Sequence, residues 1–253
     1  MFFRILSKLG SLGRLVFCIY CVFADPPIEV LLDFIDLPKH KPLRIGLSMG
    51  TFNPIHLWHL QVAQCGWVKM MLDFVIFIVN GNPPHKEGVV DARLRYKMVK
   101  EAVKGNPRFR HSRIEIDRDG PSYTVDTLRQ MHHLFESRGY KVDLYLFIGM
   151  DNVDGLEKWK EAPEILAPGL CKLVIAPRYQ AMMTADAIQA HLPNRVKDVD
   201  WFLLKSPDSD VSSTLVREWI ASEVDAPCAD YLVPNAVRKI IAKYKLYRRT
   251  KSA

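Results

Sequence analysis

Two histidines three residues apart, His56 and His59, close the run Gly50-Thr51-Phe52-Asn53-Pro54-Ile55-His56-Leu57-Trp58-His59. An apolar segment, Leu43 to Leu47, precedes the run and reads as a first strand, and an amphipathic helix follows it. Imidazoles at i and i+3 lie on one helix face and can converge on a single anion. A strand, a tight turn and a helix N-terminus present unpaired backbone N–H groups. Gly50, Thr51 and Phe52, with His56 and His59, are therefore candidates for gripping a polyphosphate. Two other readings stand beside this one: a shared metal ion, for which no third ligand sits at convincing spacing, and purely structural histidines.

Four further segments suit the same chemistry. Asn80-Gly81-Asn82-Pro83-Pro84-His85-Lys86 is a loop fixed by glycine and prolines, with Lys86 either a point charge for a phosphate or a solvated surface lysine. Gly120-Pro121-Ser122-Tyr123-Thr124 opens a helix capped by Ser122 or Thr124. The N–H groups near Tyr123 and Thr124 suit a small carboxylate or phosphate, and an ordinary cap is the plainer reading. Phe147-Ile148-Gly149-Met150-Asp151-Asn152 ends a strand. There Gly149 permits close backbone approach and Asp151 is placed to accept ribose hydroxyls. Trp159, eight residues on, is either a stacking face or a core ring. In Val211-Ser212-Ser213-Thr214-Leu215-Val216-Arg217, three hydroxyls, helix N–H groups and the Arg217 guanidinium make a polyphosphate cradle, or a serine-capped helix.

The elements that must position these residues are legible as apolar runs at Phe74 to Val79, Leu144 to Ile148, Leu173 to Ala176 and Trp201 to Leu204. Strands without alternation are what a parallel sheet covered on both faces requires. Helical patterns lie between them: Leu60, Ala63, Trp67, Val68 and Met71 as one face, Leu94, Met98, Ala102 and Val103 as another, and Leu128, Met131 and Phe135 as a third. The fold class expected is α/β, a doubly wound parallel sheet with ligands beyond the carboxyl ends of its strands. Pro234 at a first helical position and the face Val237, Ile240, Ile241 and Tyr244 add a small C-terminal helical subdomain.

The chain of 253 residues suits one sizeable domain, with ordinary globular composition: 49% apolar and 25% charged. A net charge of +7 favours anionic partners, but much of the excess sits at the two ends. Motif blocks that are apolar, without arginine–aromatic interleaving, argue against a nucleic-acid or membrane-surface protein. Five scattered cysteines fit a reducing compartment, and Cys18 and Cys21 lack a second pair for zinc. Residues 1–42 read as an N-terminal extension and linker, and 43–253 as the functional domain. The acid-free first 24 residues carry a ten-residue apolar run, Leu15 to Ala24. That run is too short for a comfortable membrane span, and it matches a signal or transit peptide, or translation from too far upstream.

From about Leu43 to Tyr247 the chain resembles bacterial nicotinate-nucleotide adenylyltransferases, within the Rossmann-like nucleotidyltransferase superfamily bearing an H-x-G-H signature. Five blocks carry the resemblance in order: the Gly50 to His59 run, Pro-Pro-His-Lys, Ser-Tyr-Thr-x-Asp-Thr-Leu, Gly-x-Asp followed by tryptophan, and Ser-Ser-Thr-x-x-Arg. The resemblance implies adenylyl transfer from ATP to nicotinate mononucleotide, with Mg2+, giving deamido-NAD and pyrophosphate; nicotinamide mononucleotide or another phosphate-bearing acceptor in the same fold is the alternative. It assigns catalysis to His56, His59 and Arg217. It assigns ATP binding to Gly50, Thr51, Phe52, Gly149, Asp151, Ser212, Ser213 and Thr214, and nicotinate mononucleotide binding to Lys86, Tyr123, Thr124 and Trp159. No nucleic-acid partner or stable membrane span is expected; assembly with like subunits stays open. The cytoplasm is the expected location, with organellar import or a signal-like N-terminus left open. Two departures stand out: Trp58 occupies the family's glycine between the histidines, and Met49 replaces a glycine before the turn. Trp58 either points away from the ligand or reshapes its pocket. Class I aminoacyl-tRNA synthetases share the histidine signature, but their lysine-rich second motif is missing.

Overall fold

The computed structural model describes residues 25–33, 37–83, 88–153, 155–176, 200–207, 209–222 and 224–248. Its sheet has the order β3-β2-β1-β4-β5-β6, with every neighbouring pair parallel. The strands are β1 Leu43–Gly50, β2 Phe74–Val79, β3 Phe109–Ser112, β4 Val142–Gly149, β5 Lys172–Ala176 and β6 Trp201–Leu203. A short helix, α1 Ile28–Leu31, precedes the sheet, and α2 Leu57–Lys69, α3 Ala92–Val103 and α4 Thr124–Glu136 connect its first strands. The one-turn helix α5 Ala162–Ile165 follows β4, and α6 Ser213–Ala221, α7 Ala226–Ala229 and α8 Asn235–Lys243 follow β6.

The unbroken apolar runs reflect two buried faces. Ile45, Leu47, Ile76, Ile78, Leu146 and Ile148 pack beneath Leu128, Met131 and Phe135 of α4. The alternate residues Val75, Phe77, Val79, Tyr145 and Phe147 meet Val62, Ala63, Met98 and Val99 of α2 and α3, and Val216, Val237 and Ile241 of α6 and α8. The helices after β6 thus join the second layer and form the small C-terminal subdomain. Strand order reverses between β1 and β4. Ser48 is paired with Phe147, so these two strands end together at Gly50 and Gly149, and the crevice of a doubly wound sheet opens there.

Three expectations need correction. The face assigned to α2 is rotated: Val68 and Met71 are 54% and 74% exposed, while Trp58, Val62, Ala63 and Gly66 are buried. Gly66 lies against the Phe147 ring and Trp67 packs on the same core layer, so the helix stays on the sheet to its last turn while Val68 and Met71 face outward. The strand β3 escaped notice because its interior is polar. His111 and Ser112 are buried through hydrogen bonds, Nδ1 of His111 to the Tyr96 hydroxyl at 2.7 Å and the Ser112 hydroxyl to Glu29. Residues 25–33, read as connecting chain, instead dock on the domain: Ile28 and Leu32 enter the core, and Asp25 pairs with His111 at 3.3 Å. The His111 hydrogen bond holds the Asp25 carboxyl below its usual range despite partial burial. Cys18, Cys21 and the apolar run Leu15 to Ala24 lie outside the described residues.

Candidate functional site

The turn after β1 organises the site. Phe52 takes φ of 47°, a left-handed conformation that a bulky side chain adopts only when its surroundings enforce it. Its ring is buried against Phe77 and meets the His59 ring edge-on, with centroids 4.9 Å apart. His56 is the N-cap of α2, and the N–H of His56 donates to Nδ1 of His59 at 3.3 Å. The two imidazoles lie against each other, tilted by 33°, with centroids 3.7 Å apart. Because Nδ1 of a neutral His59 accepts, its proton sits on Nε2, which makes that atom a donor. His56 is fully buried and His59 half-buried.

The helix α6 begins against this turn. Ser212 caps it by accepting from the Leu215 N–H at 3.0 Å. The Ser213 hydroxyl donates to the Pro54 carbonyl at 2.8 Å. Arg217 donates through Nη1 to the Asn53 carbonyl at 2.9 Å and through Nη2 to the Thr214 hydroxyl at 3.1 Å. Imidazoles, hydroxyls, helix N–H groups and a guanidinium from opposite ends of the chain thus share one corner. Asn53 Oδ1 accepts from the Tyr247 hydroxyl at 2.9 Å and from the Val90 N–H at 3.4 Å. Burial keeps that phenol protonated, raising its pKa well above the ordinary value.

At the end of β4, Gly149 leads into a 3-10 turn, Met150–Asn152, with Asp151 exposed. A Cβ at position 149 would stand 2.2 Å from Asp151 Oδ1, so the glycine makes room for the carboxylate to fold back. The start of α4 differs from expectation. Its N-cap is Tyr123 and no side chain caps it, whereas Ser122 Oγ accepts from the N–H groups of Gly81 at 3.0 Å and Asn82 at 3.3 Å. The serine ties two loops together, and the first-turn N–H groups beside Tyr123 and Thr124 have no side-chain cap. Lys160 lies over the Tyr123 ring at 4.9 Å and pairs with Asp126 at 3.0 Å, and its neighbour Trp159 is half-buried against the first core layer. Lys86 lies outside the described residues.

Trp58 is 6% exposed and packs in the second core layer with Phe52, Val62 and Ala63. Sequence reasoning passed over Arg95, Glu115, Asn53 and Tyr247. Arg95 is 1% exposed, and its guanidinium donates to the carbonyls of Thr51 at 2.6 Å, Val90 at 2.7 Å and Gly81 at 3.2 Å. Its signal was its position: an arginine at an interior helix phase is a buried charge seeking partners. Among the described residues no group of three or more His, Cys, Asp or Glu could hold a metal ion, and no helix is long and apolar enough to cross a membrane.

Comparison with known proteins shows the family and the fold. Residues 47–219 match the model of the Cytidylyltransferase-like family. A protein of Dehalococcoides mccartyi named "Probable nicotinate-nucleotide adenylyltransferase" is 39% identical over 82% of this chain and 98% of its own length. A Thermus thermophilus protein of the same name is 38% identical over 81% of this chain and 100% of its own. Among solved structures, Plasmodium falciparum nicotinic acid mononucleotide adenylyltransferase complexed with NaAD shares the fold, with a TM-score of 0.65 over 81% of this chain and 97% of that one, at 16% identity.

Proposed function

The chain belongs to the nicotinate-nucleotide adenylyltransferases of the cytidylyltransferase-like family, and from that membership we propose how its residues perform the family's reaction. It transfers the adenylyl group of ATP to nicotinate mononucleotide, giving deamido-NAD and pyrophosphate, a step of NAD biosynthesis.

A phosphate oxygen of the mononucleotide attacks the α-phosphorus of ATP in line. The new P–O bond forms as the bond to the bridging oxygen of the β-phosphate breaks, and pyrophosphate departs with that electron pair. The nucleophile is already anionic, so no general base is needed, and catalysis rests on positioning and charge neutralisation. His56 and His59 meet the phosphates at the turn of Gly50, Thr51 and Phe52. Ser212, Ser213, Thr214 and Arg217 receive the departing pyrophosphate. Mg2+ bound to the phosphates of ATP would add to the charge neutralisation that His56, His59 and Arg217 provide. Asp151, beside Gly149, accepts the adenosine ribose hydroxyls. The nicotinate ring stacks on Trp159, and its carboxylate takes the N–H groups at Tyr123 and Thr124.

The observation that carries this reading is the docking of Ser213 and Arg217 onto the carbonyls of Pro54 and Asn53. It unites two distant motif blocks at the end of β1, beside the strand reversal. A helix start without a side-chain cap favours a carboxylate, whereas a carboxamide would want an acceptor as well. Purified protein mixed with ATP, Mg2+ and either mononucleotide is expected to release pyrophosphate fastest with the acid. A preference for the amide would refute the nicotinate assignment. We infer an aqueous, reducing compartment, the cytoplasm or an organelle interior.

A further inference from the structure

Behind the two recognition turns lies a carboxyl that the reaction above does not use. Glu115, 2% exposed, follows β3 and sits under the first turns of α4, where its Oε1 accepts from the Thr127 hydroxyl at 2.7 Å. The same Thr127 hydroxyl lies 3.3 Å from the carbonyl of Tyr123, the N-cap of α4. Ser122, one residue earlier, ties this helix start to the next loop, its Oγ accepting the N–H groups of Gly81 and Asn82. The connection is reinforced by the backbone: the Ser122 N–H donates to the Asn82 carbonyl at 3.0 Å. The main chain of Glu115 lies so close to Gly81 that a Cβ there would stand 2.2 Å from the Glu115 carbonyl oxygen.

Arg95 holds the same loop from its other side, bonding the Gly81 carbonyl with one nitrogen and the Thr51 carbonyl with another. Gly81–Asn82 is therefore clamped between the start of α4, which carries Tyr123 and Thr124, and the turn that carries Thr51. We propose that Glu115 is a positioning residue: through Thr127 at the start of α4, and through its main chain packed on Gly81, it fixes the nicotinate-reading turn relative to the ATP-holding turn. The proposal rests on the functional reading above. It matters because misplacing reactants by about 1 Å costs on the order of a hundredfold in rate. Burial pushes the Glu115 carboxyl up, against the Thr127 hydrogen bond and the charges of Arg118 and Arg95. An amide keeps the acceptor that the Thr127 hydroxyl requires, which makes Glu115→Gln the conservative replacement.

The test is pyrophosphate release by wild type, Glu115→Ala, Glu115→Gln and Thr127→Val, with each substrate varied in turn and unfolding measured alongside. Glu115→Ala is expected to raise KM for nicotinate mononucleotide about tenfold, the scale of one buried hydrogen bond, with KM for ATP within about twofold. Glu115→Gln is expected to recover most of that loss. Thr127→Val removes one partner and keeps the carboxyl. It should shift the same KM in the same direction, and it decides the matter should Glu115→Ala not fold. Equal rises in both KM values, or lower melting temperature with both KM values unmoved, overturn the positioning role alone. A wild type that releases no pyrophosphate overturns the functional reading, and the positioning role with it.

Discussion

Arg217 donates through Nη1 to the carbonyl of Asn53 at 2.9 Å, across 164 positions of sequence, while its Nη2 holds Thr214. A guanidinium anchored in this way brings its charge to the turn already oriented, so little rotamer freedom is lost when the triphosphate binds. Arg217→Lys retains the charge and loses the fork. We expect kcat to fall on the order of a hundredfold, the scale for removing one transition-state donor. Wild-type turnover in that variant would take Arg217 out of the reaction.

His56→Ala is expected to lower kcat on the order of a hundredfold or more for the same reason. Because His56 is fully buried and packed against His59, circular dichroism and melting temperature must accompany the kinetics. A folded variant with unimpaired turnover would remove His56 from the mechanism.

Gly149→Ala places a Cβ 2.2 Å from Asp151 Oδ1 and forces that carboxylate aside. KM for ATP is expected to rise about tenfold, as it should in Asp151→Ala, and the double variant should lose little more than either alone. Additive losses would mean that the glycine acts on something other than Asp151.

Trp58→Gly restores the family's usual residue and removes a buried ring from the second core layer. Urea unfolding should show a loss of about 3–5 kcal/mol, the range for deleting a buried aromatic side chain. A more active, equally stable variant would show that the ring obstructs the pocket and contributes nothing to the core.

Glu115 also makes a pH prediction. Burial raises its folded-state pKa above the ordinary 4.5, so in the window from 4.5 upward to the raised value the folded protein binds more protons than the unfolded chain. Wild-type stability falls as pH rises through that window, a loss that Glu115→Gln does not share. The melting temperature of Glu115→Gln minus that of wild type should therefore increase between about pH 4 and about pH 7. A constant difference would show the carboxyl equally at ease in both states.

Much of this was legible in the sequence because burial on both faces writes itself as unbroken apolar runs, as at Phe74–Val79. Motif blocks at strand ends were legible for a related reason: Gly50 and Gly149 punctuate the runs where backbone must turn beside a ligand. What escaped was polar structure. The strand β3 is held inside by Tyr96, Glu29 and Asp25, and no hydrophobic period announces it. The Ser122 hydroxyl could cap its own helix or reach Gly81, and only the packed loops decide between them. Arg95 was invisible as a staple because its carbonyl partners lie on two loops, Thr51 after β1 and Gly81 and Val90 between β2 and α3.

The Tyr247 hydroxyl reaches Asn53 over 194 positions. The turn after β1 is thereby steadied twice from far along the chain, by α6 through Ser213 and Arg217 and by the residue that follows α8. Its geometry depends on segments that no local reading of residues 50–59 would connect to it.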